Sequence, residues 1–444
     1  MTLSTNKSAL RTIFSLQGDR TLWAVFFILS AISLVEVYSA TSTLTFRSGD
    51  ILKPIINHGT YLIVGFLCVW VFHNIPCRFF KLWIPVWFVL LALLIMLPFI
   101  GEKINDGARW ISIAGIGFQP SEFAKGALVV VVAFLLSTYQ TKKGADKHAF
   151  KLILYAAGAT CLFIFFENFS TAFILGLVIF GMMIIGRIPW KQIGLLVLSV
   201  VILGIVAVGS AKLLSTDAIV EAIPALHRLD NFTSRIDRFT GNTKTVIPPT
   251  HADTVRQRKI DSLGFDISKE PQVGHARIAV AKSNIIGCGP GNSKQRDVLP
   301  QAYSDFIFAI IIEELGLVGA IVLVLLYAII MFRASRIASR CERNFPAFVI
   351  LGLAILIVLQ AIVNMCVAVG LFPVTGQPLP LISRGGSSII VTSIYFGMMI
   401  SVSRFAKKRQ PEAEEVTPAP AVATAETPAV VNEAEFEHYE ENEN

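Results

Sequence analysis

Three carboxylates gather on one apolar stretch. Asp305 follows Ser304 at its mouth, and Glu313 and Glu314 lie inside it, in the run Ser304-Asp305-Phe306-Ile307-Phe308 through Glu313-Glu314-Leu315-Gly316. Ionised groups in hydrocarbon are costly, so an acid in a membrane helix is a functional candidate by default. In a helix that starts at Asp305, Glu313 lies about 12 Å deeper and about 80° around, and Glu314 faces nearly the opposite way. The three therefore cannot act on one atom. An Asp at a helix start also suits a cap or a partner for the helix dipole. Two adjacent buried acids need partners, so Glu313 and Glu314 read as groups hydrogen-bonded across helices or paired with Lys or Arg.

Cations stand nearby in the sequence. Asn105-Asp106-Gly107-Ala108-Arg109-Trp110 precedes Gln119-Pro120-Ser121-Glu122-Phe123-Ala124-Lys125. Pro120-Ser121-Glu122 reads as a helix start, and Glu122 and Lys125, three apart, share a face. Two readings stand for them. One is a structural ion pair; the other has Lys125 and Arg109 holding a phosphate near a helix N-terminus. A third cluster, Ser383-Arg384-Gly385-Gly386-Ser387-Ser388, opens the last apolar run. Backbone N–H groups there, with Arg384, make an anion site, while Gly and Ser also allow membrane helices to pack closely.

These groups need a membrane scaffold. Of 444 residues, 54% are hydrophobic and 16% charged, too little charge for a soluble domain of this size. Runs suited to a hydrocarbon core of ~30 Å occur at 21–41, 59–74, 80–100, 122–140, 150–166, 171–186, 192–212, 305–332, 346–371 and 385–403. The expectation is an all-α, polytopic membrane protein of ten helices, with one large extracytoplasmic loop, 213–304, between the seventh and eighth. The first run is too long for a signal-peptide core and reads as an uncleaved anchor. With the N-terminus in the cytoplasm, the outer short loops hold only Arg47, Lys53, Lys103, Arg109 and Arg384, and most Lys and Arg lie inside. Both termini are then cytoplasmic. The basic excess faces the membrane and calls for no nucleic acid. Segments 101–121, 213–304 and 372–384 share the outer side, and their convergence would make one external site. Residues 410–444 carry ten Glu and no Lys or Arg, and read as a disordered acidic cytoplasmic tail after a membrane domain spanning 1–409. Six scattered cysteines show no zinc or disulfide spacing.

Together these segments resemble the SEDS family of bacterial cell-wall polymerases over essentially all of 1–409. The resemblance rests on Gly107-Ala108-Arg109-Trp110 with Gln119 through Lys125, and on Gly287-Cys288-Gly289-Pro290-Gly291-Asn292-Ser293 with Leu299-Pro300, Ser304 through Ala309 and Glu313-Glu314-Leu315-Gly316. It rests also on Pro373-Val374-Thr375-Gly376 through Pro380, with Ser383 and Gly385-Gly386-Ser387-Ser388. It implies a glycosyltransferase that extends glycan strands from lipid II, a polyprenyl-pyrophosphate disaccharide-peptide, outside the cytoplasmic membrane. It implies that Asp305 is the catalytic residue required for activity, and a carboxylate there reads as the base that takes the proton of the acceptor hydroxyl. A pyrophosphate leaving group then wants cations: Arg109, Lys125 and Arg384, with Arg277 and Lys282 behind them, and Glu122, Ser383, Gly385 and Gly386 completing the substrate site. A divalent cation, Mg or Mn, bridging Asp305 and pyrophosphate is compatible with this, although no ligand cluster demands one.

The form Ser383-Arg384-Gly385-Gly386 and the acidic tail resemble the division-type branch more than the elongation type. That implies a septal location, with a class B penicillin-binding transpeptidase, other division proteins and membrane lipids as partners. The rival class is a lipid II flippase or transporter, which Glu313 and Glu314 would suit; a scaffold recruiting division proteins through the tail is a third. Two stretches depart from the family pattern. Glu167-Asn168-Phe169-Ser170-Thr171 stands where Pro-Asp-(Phe or Leu)-Gly-Thr is usual, and Gln272-Val273-Gly274-His275-Ala276 keeps only the first Gln of Gln-x-x-Gln-Ser, leaving His275 as a loop residue.

Overall fold

A computed structural model describes residues 16–41, 53–104, 107–113, 116–142, 144–213, 271–299 and 302–406. Every apolar run expected to be helical is helical. The order is α1 (Arg20–Ala40), α2 (Lys53–Asn74), a 3-10 segment (Cys77–Leu82), α3 (Trp83–Ile100), α4 (Pro120–Thr138), α5 (Lys147–Glu167), α6 (Phe169–Ile185) and α7 (Trp190–Leu213). Then come α8 (Pro271–Lys282), α9 (Ile307–Ser339), α10 (Asn344–Ala368) and α11 (Gly386–Phe405). Eight helices are long and apolar enough to cross a bilayer, counting Cys77–Ile100 as one span; α6 and the described part of α7, Trp190–Val206, are apolar but shorter.

Packing sorts the helices. α4, α10 and α11 are the most enclosed, whereas α2 and α3 turn most of their side chains outward. Phe99 and Val89 of α3 and Leu203 of α7 are largely exposed, as lipid-facing residues are in a protein whose solvent is hydrocarbon. α11 lies along α2, α9 along α10, and α4 against α3 and α10. Asp19 starts α1 by accepting the N–H groups of Thr21 and Leu22 at 3.0 and 3.1 Å, the usual work of an Asp cap.

The structure departs from the sequence reading in four places. Segment 101–121 is not a plain loop: it forms an antiparallel meander of β1 (Glu102–Ile104), β2 (Gly107–Ile113) and β3 (Ile116–Phe118), with Ile111 opposite Phe118 and Ser112 opposite Gly117. Apolar Ile111 and Ile113 alternate with Ser112, which is strand periodicity. A two-stranded hairpin, β4 (Gln140–Thr141) and β5 (Gly144–Ala145), links α4 to α5. His275 lies within α8, not a loop, and bonds Gln295 Oε1 at 2.9 Å.

Fourth, α9 is interrupted. Gly316 adopts φ 69°, ψ −165°, a left-handed break that glycine permits. A broken membrane helix frees main-chain groups that must find partners. Segment 284–289 supplies them. Cys288 and Gly289 donate their N–H groups to the Glu313 and Glu314 carbonyls at 3.0 and 2.8 Å, and the N–H groups of Leu317 and Val318 donate to Asn284 and Ile285, both at 3.2 Å. This is the use of the glycine run: a methyl group on Gly287 would stand 2.3 Å from the Glu314 carbonyl oxygen. The amphipathic stretch expected at 217–239, the middle of the large loop and the tail at 410–444 lie outside the described residues.

Candidate active site at the mouth of α9

α9 begins at Ile307 with Phe306 as its N-cap. Asp305 therefore sits one residue before the N-cap, in the turn 302–306. What fixes it is the main chain around it. Asn364 of α10 donates through Nδ2 to the Asp305 carbonyl at 2.9 Å and to the Gln377 carbonyl at 2.7 Å. Ser383 Oγ donates to the Ser304 carbonyl at 2.6 Å and accepts the Leu379 N–H at 2.7 Å. The Arg384 N–H donates to the Tyr303 carbonyl at 2.9 Å. The turn 302–306 and the segment 376–385 are thus stitched together, joining two of the three segments expected to share one side of the membrane.

The Asp305 side chain remains half-buried. Ser304 Oγ donates to its Oδ1 at 2.9 Å. Its Oδ2 lies beside Gly376, which has φ +66° and where a Cβ would come within 3.7 Å of that oxygen. The Arg384 guanidinium rests over the Tyr303 ring, 5.2 Å from its centre, so a cation stands on the acid's own turn, over the residue two before Asp305. Gly385 is the N-cap of α11, and Gly386 lies flat against Tyr61, whose ring would be 2.6 Å from a Cβ. Close packing accounts for Gly386.

Glu122 and Lys125 take the ion-pair geometry. Lys125 Nζ lies 2.7 Å from Glu122 Oε1, and both side chains are enclosed, 1% and 6% exposed. Lys125 also donates to Gln360 Oε1 at 3.2 Å, and Gln360 Nε2 donates to the Pro378 carbonyl at 3.1 Å. Tyr395 donates to the Glu122 carbonyl at 2.6 Å. Gln360 and Asn364 are one turn apart on α10 and both brace the 376–385 segment. Sequence reading missed them, although two amides four apart in an apolar run are the signal that intramembrane polarity supplies.

The remaining predicted residues sit on other elements. Arg109 lies in β2, opposite the irregularity between Glu102 and Lys103; its side chain lies outside the described part. Arg277 of α8 packs where α10 ends, its Nε 2.7 Å from where a Cβ on Gly370 would be. Lys282 is exposed at the end of α8. Asn168, standing where the family pattern has an acid, caps α6 by accepting the Ser170 and Thr171 N–H groups at 3.0 and 3.4 Å. Thr171 Oγ1 then accepts from Gln377 Nε2 at 2.7 Å, so α6 also braces the site segment.

Glu313 is held by the returning loop, whereas Glu314 is shared between that loop and α1 and keeps one buried oxygen without a hydrogen bond among the described residues. Glu313 accepts from Ser293 Oγ and from the N–H groups of Lys294 and Gln295, each at 3.3 Å. Glu314 accepts from Ser39 of α1 at 2.5 Å and from the Ser293 N–H at 3.4 Å, with Arg296 at 3.9 Å. Among the described residues no group of three or more His, Cys, Asp or Glu forms a metal cage.

Comparison with known proteins agrees with this architecture. The FtsW/RodA/SpoVE cell cycle protein family matches residues 19–408. A protein of Halomonas elongata named "probable peptidoglycan glycosyltransferase FtsW" is 29% identical over 394 residues, covering 86% of this chain and 90% of the relative. One of the same name from Geobacter sp. strain M18 is 30% identical over 387 residues, covering 85% and 94%. Among solved structures, a chain from work on coordination of polymerization and crosslinking by a peptidoglycan synthase complex superposes with TM-score 0.64, at 21% identity, covering 88% of this chain and 98% of that one. The rod shape determining protein RodA of Thermus thermophilus gives 0.57 at 21% identity, covering 88% and 97%.

Proposed function

The chain belongs to the FtsW/RodA/SpoVE (SEDS) family of cell cycle proteins, and from that membership we propose that it is a peptidoglycan glycosyltransferase polymerising lipid II. The observation that carries the reading is Asp305: a half-buried carboxylate in a turn fixed through its main chain, with Arg384 anchored to the same turn. A sugar hydroxyl is a poor nucleophile at neutral pH, and a carboxylate within hydrogen-bond reach removes its proton as the bond forms. The acceptor oxygen bonds the anomeric carbon of the donor, the bond from that carbon to pyrophosphate breaks, and the proton passes to Asp305. Charge developing on the pyrophosphate is met by fixed cations. Arg384 is the first of these, with Arg109 in the meander and Arg277 and Lys282 along α8. Ser383 and Gly385 shape the same segment. Glu122 and Lys125 act at one remove, through Gln360 and Pro378, as positioning residues. Were a divalent cation, Mg or Mn, to bind here, Asp305 is the residue that would hold it, and it would supply further positive charge against the leaving pyrophosphate.

The relatives named FtsW support the division branch, and with it a septal location and cytoplasmic termini. The fold shared with a chain of a peptidoglycan synthase complex supports a class B penicillin-binding transpeptidase as partner. The decisive experiment is polymerisation of purified lipid II by the native protein and by Asp305→Asn, with and without such a partner. Loss of product in a variant that keeps its melting temperature is expected. Full activity in that variant removes Asp305 from the mechanism.

A further inference from the structure

We infer that the end of the molecule opposite Asp305 carries a binding site for the phosphodiester headgroup of an anionic phospholipid, between the β4–β5 hairpin and the α6–α7 turn. α6 sets the geometry. Its first turn holds Thr171, bonded to Gln377 of the active-site segment. Its seventeen residues rise about 25 Å at 1.5 Å per residue, so its far end lies about that distance from the Gln377 contact. A cavity of about 550 Å³ opens there, lined by Gly144, Lys147, Arg187 and Trp190 with Ile184 and Ile193. That volume suits a small molecule, and its lining combines the apolar and cationic side chains that a lipid headgroup region meets. Isoleucines share it with Lys147 and Arg187, and Trp190 is 74% exposed, as aromatics are at membrane–water boundaries.

Two observations point to an anion. First, the cations are unspent. Neither Arg187 nor Lys147 makes a side-chain ion pair among the described residues. Asp146 also lines the cavity, but its carboxylate is occupied by the Lys147 N–H at 2.6 Å and His148 Nδ1 at 2.8 Å.

Second, Arg187 stands where glycine belongs. Its φ is 55°, and α6 closes around it through Arg187 N–H to Ile184 at 3.0 Å and Ile188 N–H to Met183 at 3.1 Å. That helix ending favours glycine, and an L side chain there is strained. Gly144 presses on the same turn: a Cβ on it would lie 2.3 Å from the Arg187 carbonyl oxygen. Ala145 N–H bonds Gly186 at 3.2 Å. The wall is therefore preformed, and it holds a guanidinium at a position whose backbone disfavours one. Guanidinium binds phosphate oxygens in pairs, the start of α7 at Trp190 adds a positive helix end, and basic pockets between membrane helices take anionic headgroups.

The test uses the full chain purified in neutral detergent, with bound lipid counted by native mass spectrometry and melting followed as lipid is added. Dioleoylphosphatidylglycerol is expected to bind and raise the melting temperature, with dioleoylphosphatidylcholine and inorganic phosphate doing so weakly. Arg187→Gly and Lys147→Gln are each expected to weaken phosphatidylglycerol binding about fivefold, the contribution of one basic side chain near an anionic surface. Arg187→Gly also relieves the backbone, so its lipid-free melting temperature should equal or exceed the parent's, which separates lost binding from lost folding. Unchanged phosphatidylglycerol binding in the double variant overturns the site. So does equal binding of phosphatidylcholine, or full stabilisation by inorganic phosphate alone.

Discussion

Two unwound stretches of chain meet α9, and they treat their acids in opposite ways. At 302–306 the protein grips the main chain: carbonyls of Tyr303, Ser304 and Asp305 accept from Arg384, Ser383 and Asn364, and the Asp305 carboxylate stays half-buried. At 313–316 the carboxylates themselves are gripped. Glu313 and Glu314 are 5% and 0% exposed and take donors from Ser293, Lys294, Gln295 and Ser39. Acids eight residues apart are thus put to different ends. One is placed with its carboxylate partly open; the others use their carboxyl oxygens to fasten a loop across a broken helix.

The contrast can be broken at four points. Asp305→Asn keeps the shape and removes the base, so polymerisation of lipid II should fall ~100- to 10,000-fold while the melting temperature holds; a large loss of stability instead would make this acid structural too. Gly316→Ala puts a methyl group 2.4 Å from the Ile285 carbonyl oxygen at φ +69°, and should cost roughly 2–4 kcal/mol, seen as lost folded yield and melting temperature. Glu313→Gln should lose about 2 kcal/mol of stability and keep its turnover per folded molecule; a turnover loss matching that of Asp305→Asn would erase the distinction. Asn168→Asp restores the family's acid at a cap where both residues serve equally, so melting should stay within ~0.5 kcal/mol equivalent. A raised polymerisation rate there would show that the acid has a chemical role this chain has given up.

Much of the scaffold was legible because hydrocarbon imposes a simple rule on sequence: long apolar runs become helices. The segments of the candidate site were legible too, since Asp305, Ser383 and Arg384 sit in motifs that resemble a known family. The break at Gly316 was hidden because Leu-Gly inside an apolar run looks like uninterrupted helix; the deciding partner, 284–289, is remote and contributes only main chain. The meander at 101–118 was hidden by its brevity. The enclosure of Lys125 was legible only as one of two options, because pairing with Glu122 follows from spacing, whereas closure by Gln360 depends on how α10 packs.

The seam between Gly287 and Gly316 has an evolutionary corollary. A side chain on Gly316 would strike the Gly287 nitrogen at 2.5 Å, and one on Gly287 would strike the Gly316 nitrogen at the same distance. Most crowded sites can be rescued by trimming the neighbour. Here each neighbour is already bare backbone, so no second substitution at either position can repair the first, and the two must be inherited together or the join abandoned.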